Sequence, residues 1–259
     1  MHSEPQISVI TVVYNNRIYI EHCMKSVFEQ TYKNIEYIII DGASTDGTTD
    51  IIEKYRDSID IFISEPDNGI ASAMNKGILN ASGEYLMFLH ADDYFYNEYS
   101  LAKAAKLLEP RPDILLCDIL FGKGFERKTS RGLDWKSNFK TGVWHQGSFC
   151  KKGLFDKYGK FDEDIKITMD FDLFLRFYKK GIKANKSSVV LTVMRDTGVS
   201  SQTDWKSLKA RFLDERKVMK KYSLNPFHRF FIDCYFYTYI AYRKLNQLKK
   251  FKLGGGWFS

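Results

Sequence analysis

Short apolar runs alternate with segments of helical periodicity over roughly the first 110 residues of the chain. Residues 7–13, ISVITVV, are continuous and rich in β-branched side chains, which predicts a buried strand. Further strands are predicted at 35–40, within DIFIS and within EYLMFL. After the first strand, apolar residues recur at helical spacing and predict a helix over Ile20, Cys23, Met24, Val27 and Phe28.

Helical segments also separate the later strands. One helix is expected to reach about Tyr55 with Ser44 or Thr45 as its N-terminal cap, another to end near Gly83, and a third to cover 100–108. Strands that alternate with helices at this spacing are typical of β-α-β units. The pattern therefore predicts an α/β fold with a mostly parallel sheet flanked by helices.

Polar side chains follow three of the predicted strands. Tyr14 and Asn15 follow the first strand, Asp41 ends the second, and Asp92 and Asp93 follow the apolar run LMFL. In open α/β sheets, ligands bind beyond the carboxyl ends of the strands, so these residues mark a candidate site. The adjacent acids have two interpretations: one could cap the following helix, or both could bind Mg²⁺ or Mn²⁺, which prefer oxygen ligands. A cap explains one acid, whereas a cation explains the pair.

Composition narrows the class of protein. The 259 residues are 44% hydrophobic, 15% aromatic and 27% charged, which is typical of a globular chain. We expect no signal peptide, because the start is polar, and no transmembrane helix, because no apolar run approaches about 18 residues. Neither G-x-G-x-x-G nor G-x-x-x-x-G-K-S/T follows the first strand, which disfavours dinucleotide and P-loop binding. The cysteines lack metal-site spacing and are expected to be reduced packing residues of a cytoplasmic protein: Cys23, Cys117, Cys150 and Cys234.

Charge is distributed unevenly along the chain. Residues 205–259 hold 13 Lys and Arg against 3 Asp and Glu, whereas residues 1–204 hold 26 against 29. This break predicts a module boundary near 205 and an anionic partner for the tail. Residues 225–253 mix many Phe and Tyr with basic flanks, and predict either an interfacial helix on anionic lipid or a helix packed on the body or a second subunit. The acidic body and the absence of a nucleic-acid motif disfavour nucleic acid as a partner.

Five segments in order resemble the motifs of the family 2 inverting glycosyltransferases with the GT-A fold: SVITVVYNN, IIIDGASTDGT, EPDNGIASAMNKGI, GEYLMFLHADD and HQGSFCKKGLFDKYGKFDEDIKITMDFDLFLR. The resemblance is strongest to enzymes that build bacterial surface polysaccharides, and it covers roughly residues 6–202. It implies a GT-A (Rossmann-like) catalytic domain over residues 1–204, with a donor half at about 6–110 and an acceptor half at about 111–204. A helical basic and aromatic extension follows over 205–259.

The resemblance implies a site for a nucleoside-diphosphate-sugar donor. Asp46 lies in the turn that follows Asp41, but a role in forming that turn or capping the next helix is favoured for it. Gly42 stands where the family commonly has a second acid and Val12 where it has proline, so the identity of the nucleotide stays open. The implied donor-binding residues are Tyr14, Asn15, Asp41, Asp67, Asn75, Asp92 and Arg195.

The same resemblance assigns a metal role to the adjacent acids. Asp93 would contact a divalent cation, Mn²⁺ or Mg²⁺, and Asp92 would contact the ribose or the same metal. Ala91 departs from the family pattern, which has an acid there. Such a cation would bridge the donor diphosphate and neutralise the charge that develops as the glycosidic bond breaks.

An inverting transfer also needs a base for the acceptor hydroxyl. The segment TMDFDLFLR resembles the family's E-D-x-x-L-x-x-R pattern, with Asp170 at the position of the base and Met169 in place of the first acid. On a helix, Asp172 and Arg176 are spaced to form an i, i+4 ion pair, which leaves Asp170 unpaired.

Other residues of the second half are implied on the acceptor side. His145 and Gln146 match a segment that lines the acceptor, although a structural role for a lone histidine is equally open. Arg195 and Ser200 lie in a segment that can close over the donor phosphates, while a surface arginine is the alternative. Trp135 and Trp144 could stack on an acceptor sugar or pack in the core.

These observations predict a metal-dependent, inverting glycosyltransferase that moves a sugar from a nucleotide donor to a lipid-linked glycan acceptor in surface-polysaccharide synthesis. It is expected to be cytoplasmic and peripheral at the inner face of the plasma membrane. A nucleotidyltransferase and a non-catalytic scaffold that binds nucleotide sugar or membrane are the alternatives. The donor sugar, acceptor, linkage and oligomeric state are left open.

Overall fold

The computed structural model describes residues 4–198, 201–202 and 204–254, with side chains described as far as residue 245. Its centre is a nine-stranded sheet in the order β3-β2-β1-β4-β8-β6-β9-β5, with β7 paired to β6. The strands are β1 (Ile7–Val13), β2 (Ile35–Asp41), β3 (Ile61–Ser64), β4 (Tyr85–Phe88), β5 (Tyr94–Phe95), β6 (Ile114–Phe121), β7 (Glu126–Lys128), β8 (Ser148–Lys151) and β9 (Ala184–Met194).

The first four strands form the predicted parallel half of the sheet. The ladders of β1 with β2, β2 with β3 and β1 with β4 are all parallel. Every residue of β1 is buried, because helices cover both faces of the strand. Close packing depends on Gly77, where a Cβ atom would lie 2.4 Å from Ile10 Cγ2. The apolar runs therefore identified these strands correctly.

The second half of the sheet is mixed. Strand β8 is antiparallel to both β4 and β6, and β5 is antiparallel to β9, whereas β6 and β9 run parallel. The α/β fold is confirmed, and the mostly parallel arrangement belongs to its first half, from β1 to β4. The antiparallel strand β8 lies between β4 and β6 and so joins the two halves into one continuous sheet.

Eight α-helices accompany the strands in the described part of the chain. Helix α2 begins at Thr48 after Gly47, whose φ of 91° is left-handed, so the predicted cap by Ser44 or Thr45 is wrong. Neither Asp92 nor Asp93 caps the helix that begins at Ser100. The helices are α1 (Ile20–Phe28), α2 (Thr48–Glu53), α3 (Ile70–Asn80), α4 (Ser100–Leu108), α5 (Lys152–Tyr158), α6 (Met169–Lys179), α7 (Trp205–Lys221) and α8 (Pro226–Gly254).

A buried carboxylate fastens the amino ends of β1 and β2. Glu36 accepts hydrogen bonds from Ser8 Oγ at 2.5 Å and from both the hydroxyl and the backbone N–H of Ser82, at 2.6 and 2.8 Å. Burial acts to raise the pKa of Glu36, but these hydrogen bonds together hold it below its usual value. The cluster lies at the opposite end of the strands from the polar strand ends.

The apolar core has one large cluster on each face of the sheet. Cys23, Cys117 and Cys150 are buried in these clusters, as expected for packing residues. Cys234 is exposed on α8, so the packing interpretation is wrong for this cysteine.

The C-terminal extension packs on α6. Asp172 is fully buried and pairs with Arg176 as predicted, and it also accepts from Lys221 Nζ at 2.8 Å and Tyr222 Oη at 3.0 Å. Asp214 of α7 accepts from the backbone N–H of Ile167 at 2.6 Å. These polar contacts hold the extension to α6 and to the segment before it.

Helix α8 has two different faces. Its inner residues Ile232 and Phe236 are buried with Phe212 of α7. Its outer aromatic face is exposed to solvent and comprises Phe227, Phe230, Phe231 and Tyr237. Among the residues that the structure describes, no helix is both long and apolar enough to cross a membrane.

Candidate active site

A cleft of about 1770 Å³ opens beyond the carboxyl ends of the parallel strands. Strand ends of the first half contribute Tyr14, His90, Asp92 and Asp93, and the loop after β3 contributes Asp67. The second half contributes Trp144, His145 and Asp170, and helices α7 and α8 close the far side. Residues that are distant in sequence thus meet at the sheet edge, as the strand pattern predicts.

The adjacent acids have different surroundings. Asp93 is 1% exposed and accepts from the backbone N–H of Arg195 at 3.1 Å, while the half-buried Asp92 accepts from Thr197 Oγ1 at 2.7 Å. Burial, together with the charge of Asp92, raises the pKa of Asp93 well above its usual value. The protein alone therefore compensates the negative charge of the two carboxylates poorly.

This imbalance fits a divalent cation. Within the described ranges, no group of three or more His, Cys, Asp or Glu is arranged to hold a metal. Asp92 and Asp93 would supply two carboxylates, and a cation of the Mg²⁺ type commonly completes its shell with phosphate oxygens and water. The donor set therefore fits a metal that binds together with a diphosphate.

Arg195 lies beside this pair, but its guanidinium points into an aromatic cage. The group is 4.7 Å from the ring centroid of Tyr19 and 4.6 Å from that of Tyr94, and it hydrogen-bonds His22 Nδ1 at 2.7 Å. It also donates to the backbone oxygen of Asp92. In this arrangement Arg195 fixes the end of β9 to the acidic pair and does not line the cleft. Ser200, from the same implied segment, lies outside the described residues.

Asp170 faces the cleft from the first turn of α6. Its Oδ1 accepts from the backbone N–H of Phe171 at 2.8 Å, and its Oδ2 lies 3.7 Å from His145 Nδ1. The expectation that Asp170 is unpaired is therefore wrong, because His145 is within ion-pair distance. The side chain is 23% exposed and remains open to the cleft.

His145 connects Asp170 to a residue that the sequence did not single out. Its Nε2 is 2.8 Å from His90 Nε2, at the end of the β4 run, so one imidazole must donate and the other accept. Burial and the neighbouring His145 lower the pKa of His90 to about 3, so His90 is neutral at physiological pH. Only its position directly before Ala91 and the acids could have pointed to His90.

The absence of a side chain at Gly42 shapes the donor end of the cleft. A Cβ atom there would lie 2.6 Å from Asp67 Oδ2 and 3.3 Å from Tyr14 Cδ2. Asp67 is held in place by the backbone N–H of Gly69, which donates to its Oδ1 at 2.7 Å. The carboxylate of Asp67 therefore occupies the space that a second acid at position 42 would need.

Three of the implied donor residues have side chains that support the fold. The fully buried Asp41 accepts from Ser44 and Ser64. Asn15 accepts from the backbone N–H of Thr45. The structure thus places the buried Asp41 behind the cleft surface, whereas Asn15 is exposed next to the cleft-lining Tyr14, and both residues shape the turn after β2.

Asn75 has a similar supporting position. Its side chain donates to the backbone oxygen of Phe161 at 3.0 Å and to Glu163 at 2.9 Å, and it accepts from the N–H of Phe161 at 2.9 Å. These bonds tie α3 to the segment that leads into α6. Asn75 therefore links the two halves of the protein beneath the site.

Of the two tryptophans implied on the acceptor side, one lines the cleft and the other does not. Trp144 lines the cleft and packs on Phe121 with ring centroids 6.1 Å apart, whereas Trp135 is exposed on a separate 3₁₀ helix. Gln146 is 3% exposed, and its hydrogen bond with Asp93 helps to hold that acid. Trp144 is therefore the tryptophan that is placed to meet a ligand.

Sequence reasoning also missed the contribution of the C-terminal extension. Helices α7 and α8 place Phe212, Glu215, Tyr235, Tyr239 and Arg243 in the wall of the cleft. A helical extension was expected, but no pattern within it indicated that its inner face completes the site.

The fold and the acid-lined cleft define an α/β transferase of the GT-A type. The family described as glycosyl transferase family 2 matches residues 8–171. A PGL/p-HBAD biosynthesis glycosyltransferase of Mycobacterium bovis is 29% identical over 211 residues, which span 77% of this chain and 80% of the relative. An uncharacterised glycosyltransferase of Mycobacterium tuberculosis is 35% identical over 188 residues, which span 68% and 70%. The chain therefore belongs to glycosyl transferase family 2, which confirms the resemblance found in its motifs.

Two solved structures share the fold. The mannosyltransferase PcManGT from Pyrobaculum calidifontis, in complex with GDP-Man and Mn²⁺, gives a TM-score of 0.68 at 20% identity, covering 99% of this chain and 77% of that one. TarS from S. aureus, in complex with UDP-GlcNAc, gives 0.66 at 19% identity, covering 84% and 71%. Both support the GT-A assignment of the sheet and its flanking helices.

Proposed function

We propose that this glycosyltransferase moves a sugar, with inversion, from a nucleoside-diphosphate donor to a hydroxyl of a glycan acceptor. The observation that carries the proposal is the shared cleft, which Asp170 enters from one half of the fold while Asp92 and Asp93 enter from the other. An inverting displacement needs a base and a leaving-group site on opposite sides of the reacting carbon. The arrangement supplies candidates for both.

The donor end of the cleft is assigned to Tyr14, Asp67 and Asp92. Tyr14 is 65% exposed and can pack a ring against a nucleobase, beside the carboxylate of Asp67. Asp92 lies toward the sugar and diphosphate. The structural relatives named above bind UDP-GlcNAc and GDP-Man, which supports a nucleotide sugar as the class of donor.

Asp92 and Asp93 are assigned as ligands of a divalent cation, Mn²⁺ or Mg²⁺. When bound, that ion would neutralise the charge on the departing nucleoside diphosphate. The buried position of Asp93 and the second carboxylate beside it support the assignment, as does the Mn²⁺ in the PcManGT complex.

Asp170 is assigned as the general base. It would accept the proton of the acceptor hydroxyl as that oxygen attacks the anomeric carbon. His145 Nδ1, 3.7 Å away, is positioned to orient the carboxylate, and the neutral His90 holds the other side of the His145 ring. The two imidazoles thus position the base without adding a fixed charge at His90.

The acceptor is assigned to the lipid-linked glycans of surface-polysaccharide synthesis, with the protein peripheral at the inner face of the plasma membrane. The exposed aromatic face of α8 and the basic residues of the tail support contact with anionic lipid. A membrane-bound chain would meet its lipid-linked acceptor at the bilayer surface.

Nucleotide release tests this function. The intact chain would be incubated with UDP-, GDP- and dTDP-sugars in the presence of Mn²⁺, Mg²⁺ or EDTA, and the released nucleotide identified by chromatography. We expect one nucleoside diphosphate to be released, with at least a tenfold loss of rate in EDTA and in Asp93→Ala, because the leaving charge is then unbalanced.

Two other results would contradict the proposal. Release of pyrophosphate with a nucleotidyl product would indicate a nucleotidyltransferase. Donor binding without turnover, even with a lipid extract supplied as acceptor, would indicate a binding scaffold. Asp164→Asn, an exposed acid-to-amide change before α6, serves as the matched control for handling and folding.

A further inference from the structure

The inner face of the C-terminal extension is built of aromatic rings. Tyr235 and Tyr239 lie one helical turn apart on α8, with nearly parallel rings whose centroids are 5.8 Å apart. Phe212 of α7 meets Tyr239 edge to face at 5.1 Å. Arg243 closes the group by donating to Tyr239 Oη at 3.1 Å. All four residues line the same cleft as Asp170.

Glu215 of α7 lies among these rings. It lines the cleft and is half-buried, and within the described part of the chain no hydrogen bond or ion pair reaches its carboxylate. A partly buried carboxylate that makes no direct hydrogen bond is stabilised when a ligand donates hydrogen bonds to it. Burial raises the pKa of Glu215, and Arg211 and Lys140 oppose that rise without removing it.

The charges around Glu215 restrict the kind of ligand. A phosphate or another anion would have to approach the carboxylates of Glu215 and Asp170, which oppose the attraction of Arg211 and Lys140. A metal ion is disfavoured because Arg211 and Lys140 already place positive charge close to Glu215. A neutral molecule with several hydroxyl groups and an apolar face satisfies both the carboxylate and the rings, and a sugar ring has this chemistry.

We propose that Glu215, with the Tyr235–Tyr239 pair and Phe212, forms a subsite that binds the sugar of the acceptor. The inference rests on the proposed glycosyl transfer and adds the class of group that the extension recognises. Asp170 takes the proton of the reacting hydroxyl, and Glu215 accepts hydrogen bonds from other hydroxyls of the same sugar. Both carboxylates line the same cleft, and the charge of Asp170 adds to the rise in the pKa of Glu215. The extension is thereby part of the acceptor site.

Kinetics with defined acceptors test the subsite. Benzyl glycosides of common hexoses and N-acetylhexosamines serve as probes, with the donor that the intact chain hydrolyses fastest. For Glu215→Gln we expect the KM for the best glycoside to rise roughly tenfold or more, because a charge-assisted acceptor of hydrogen bonds is lost. Donor hydrolysis without glycoside is expected to lose less than transfer to the glycoside does, because Glu215 is proposed to contact the acceptor and not the donor.

Further variants separate the subsite from a role in folding. Glu215→Asp keeps the charge and is expected to recover part of the lost affinity for the glycoside. Tyr235→Ala removes a ring that is already 55% exposed, and is expected to raise the acceptor KM several-fold without unfolding the chain. Glu53→Gln, an exposed acid-to-amide change on α2, is the matched control and should leave the acceptor KM unchanged.

The outcomes distinguish this inference from the proposed function. An unchanged acceptor KM in Glu215→Gln would overturn the subsite, as would equal losses in donor hydrolysis and transfer. An intact chain that hydrolyses its donor but glycosylates none of the probes would also overturn it. An intact chain that neither hydrolyses nor transfers from any donor would instead remove the proposed function on which the subsite depends.

Discussion

Asp170 has few groups to balance its charge inside the cleft. The backbone N–H of Phe171 donates to Oδ1 and the His145 ring lies 3.7 Å from Oδ2, while the side chain stays partly exposed to the cleft. Such a carboxylate is suited to accept a proton from a hydroxyl that approaches from the acceptor side. Asp93, in contrast, is fully buried and has the surroundings of a metal ligand rather than of a base.

Replacing Asp170 by asparagine tests the base. Asp170→Asn keeps the size of the side chain but cannot accept the proton, so we expect kcat for transfer to fall by about 10²- to 10⁴-fold. Donor affinity, measured by calorimetry with the nucleoside diphosphate, should stay within about twofold, because the donor end is separate. Transfer by Asp170→Asn at the rate of the control Asp164→Asn would show that another group is the base.

Replacing Gly42 by alanine tests whether the position of the Asp67 carboxylate matters for donor binding. In Gly42→Ala the new methyl group displaces the Asp67 carboxylate, which can swing away because it is the end of a flexible side chain. We therefore expect the melting temperature to change little, while the donor KM rises several-fold. Gly124→Ala adds a methyl group in open space and is the matched control. A donor KM equal in the two variants would argue against a role for Asp67 at this end.

Single residues of the site were predictable where chemistry and position agreed. Asp92 and Asp93 stood out because two acids follow a buried run, and Asp170 because TMDFDLFLR resembles a family motif; all three line the cleft. His90 did not stand out, because its hydrogen-bond partner, His145, is 55 residues away in sequence. Asp41, Asn15 and Asn75 occupy motif positions, yet their side chains hydrogen-bond to other residues of the protein. Only a three-dimensional structure can show these partners.

Among the secondary-structure elements, β1 and β2 depend on the buried Glu36. Glu36→Gln removes the charge that Ser8 and Ser82 hydrogen-bond, and we expect a loss of about 2 kcal/mol in the free energy of unfolding at neutral pH. The folded pKa of Glu36 lies below its ordinary value of 4.5, so its contribution is present above that pH and is lost as the pH falls further.

Urea unfolding over a range of pH checks this prediction. The difference between the wild-type chain and Glu36→Gln should be largest near pH 7 and should shrink as the pH falls below about 4.5. A difference that stays constant, or grows in acid, would show that the carboxylate does not stabilise the sheet. Glu53→Gln on the surface should show no difference at any pH.

Most of the helices and strands could be predicted from the periodicity of the apolar residues. Buried parallel strands lose the alternating pattern and become continuous apolar runs, so β1, β2 and β4 were recognisable. The start of α2 was not, because Gly47 takes a left-handed conformation and moves the helix to Thr48. Nor did local pattern indicate that β8 would enter the sheet antiparallel between β4 and β6, since strand pairing depends on distant segments.

For the whole molecule, the basic and aromatic extension has two roles assigned to its two faces. The inner face completes the cleft, and the outer aromatic face of α8 is exposed to solvent. The two alternatives left open by the sequence, packing on the body and contact with lipid, are therefore compatible. Composition alone could not assign them to separate faces.

The outer face predicts binding to anionic membranes. In a sedimentation assay with phosphatidylserine vesicles, we expect the triple change Phe227→Ser, Phe230→Ser and Phe231→Ser to weaken binding at least tenfold, because three exposed rings no longer enter the interface. Binding by the wild-type chain should also weaken in high salt. Leu79→Ser, an equally exposed apolar residue on α3, is the control. Equal binding by the triple variant and the control would exclude this face as the membrane contact.

A single displacement with Asp170 as base inverts the configuration of the anomeric carbon, so the configuration of the released sugar shows whether the transfer proceeds in this way. Hydrolysis of an α-configured nucleotide sugar would be followed by proton NMR at early times, before mutarotation. We expect the β-anomer to appear first, because water takes the place of the acceptor hydroxyl beside Asp170. First release of the α-anomer would mean retention, and would contradict both the single displacement and the role of Asp170.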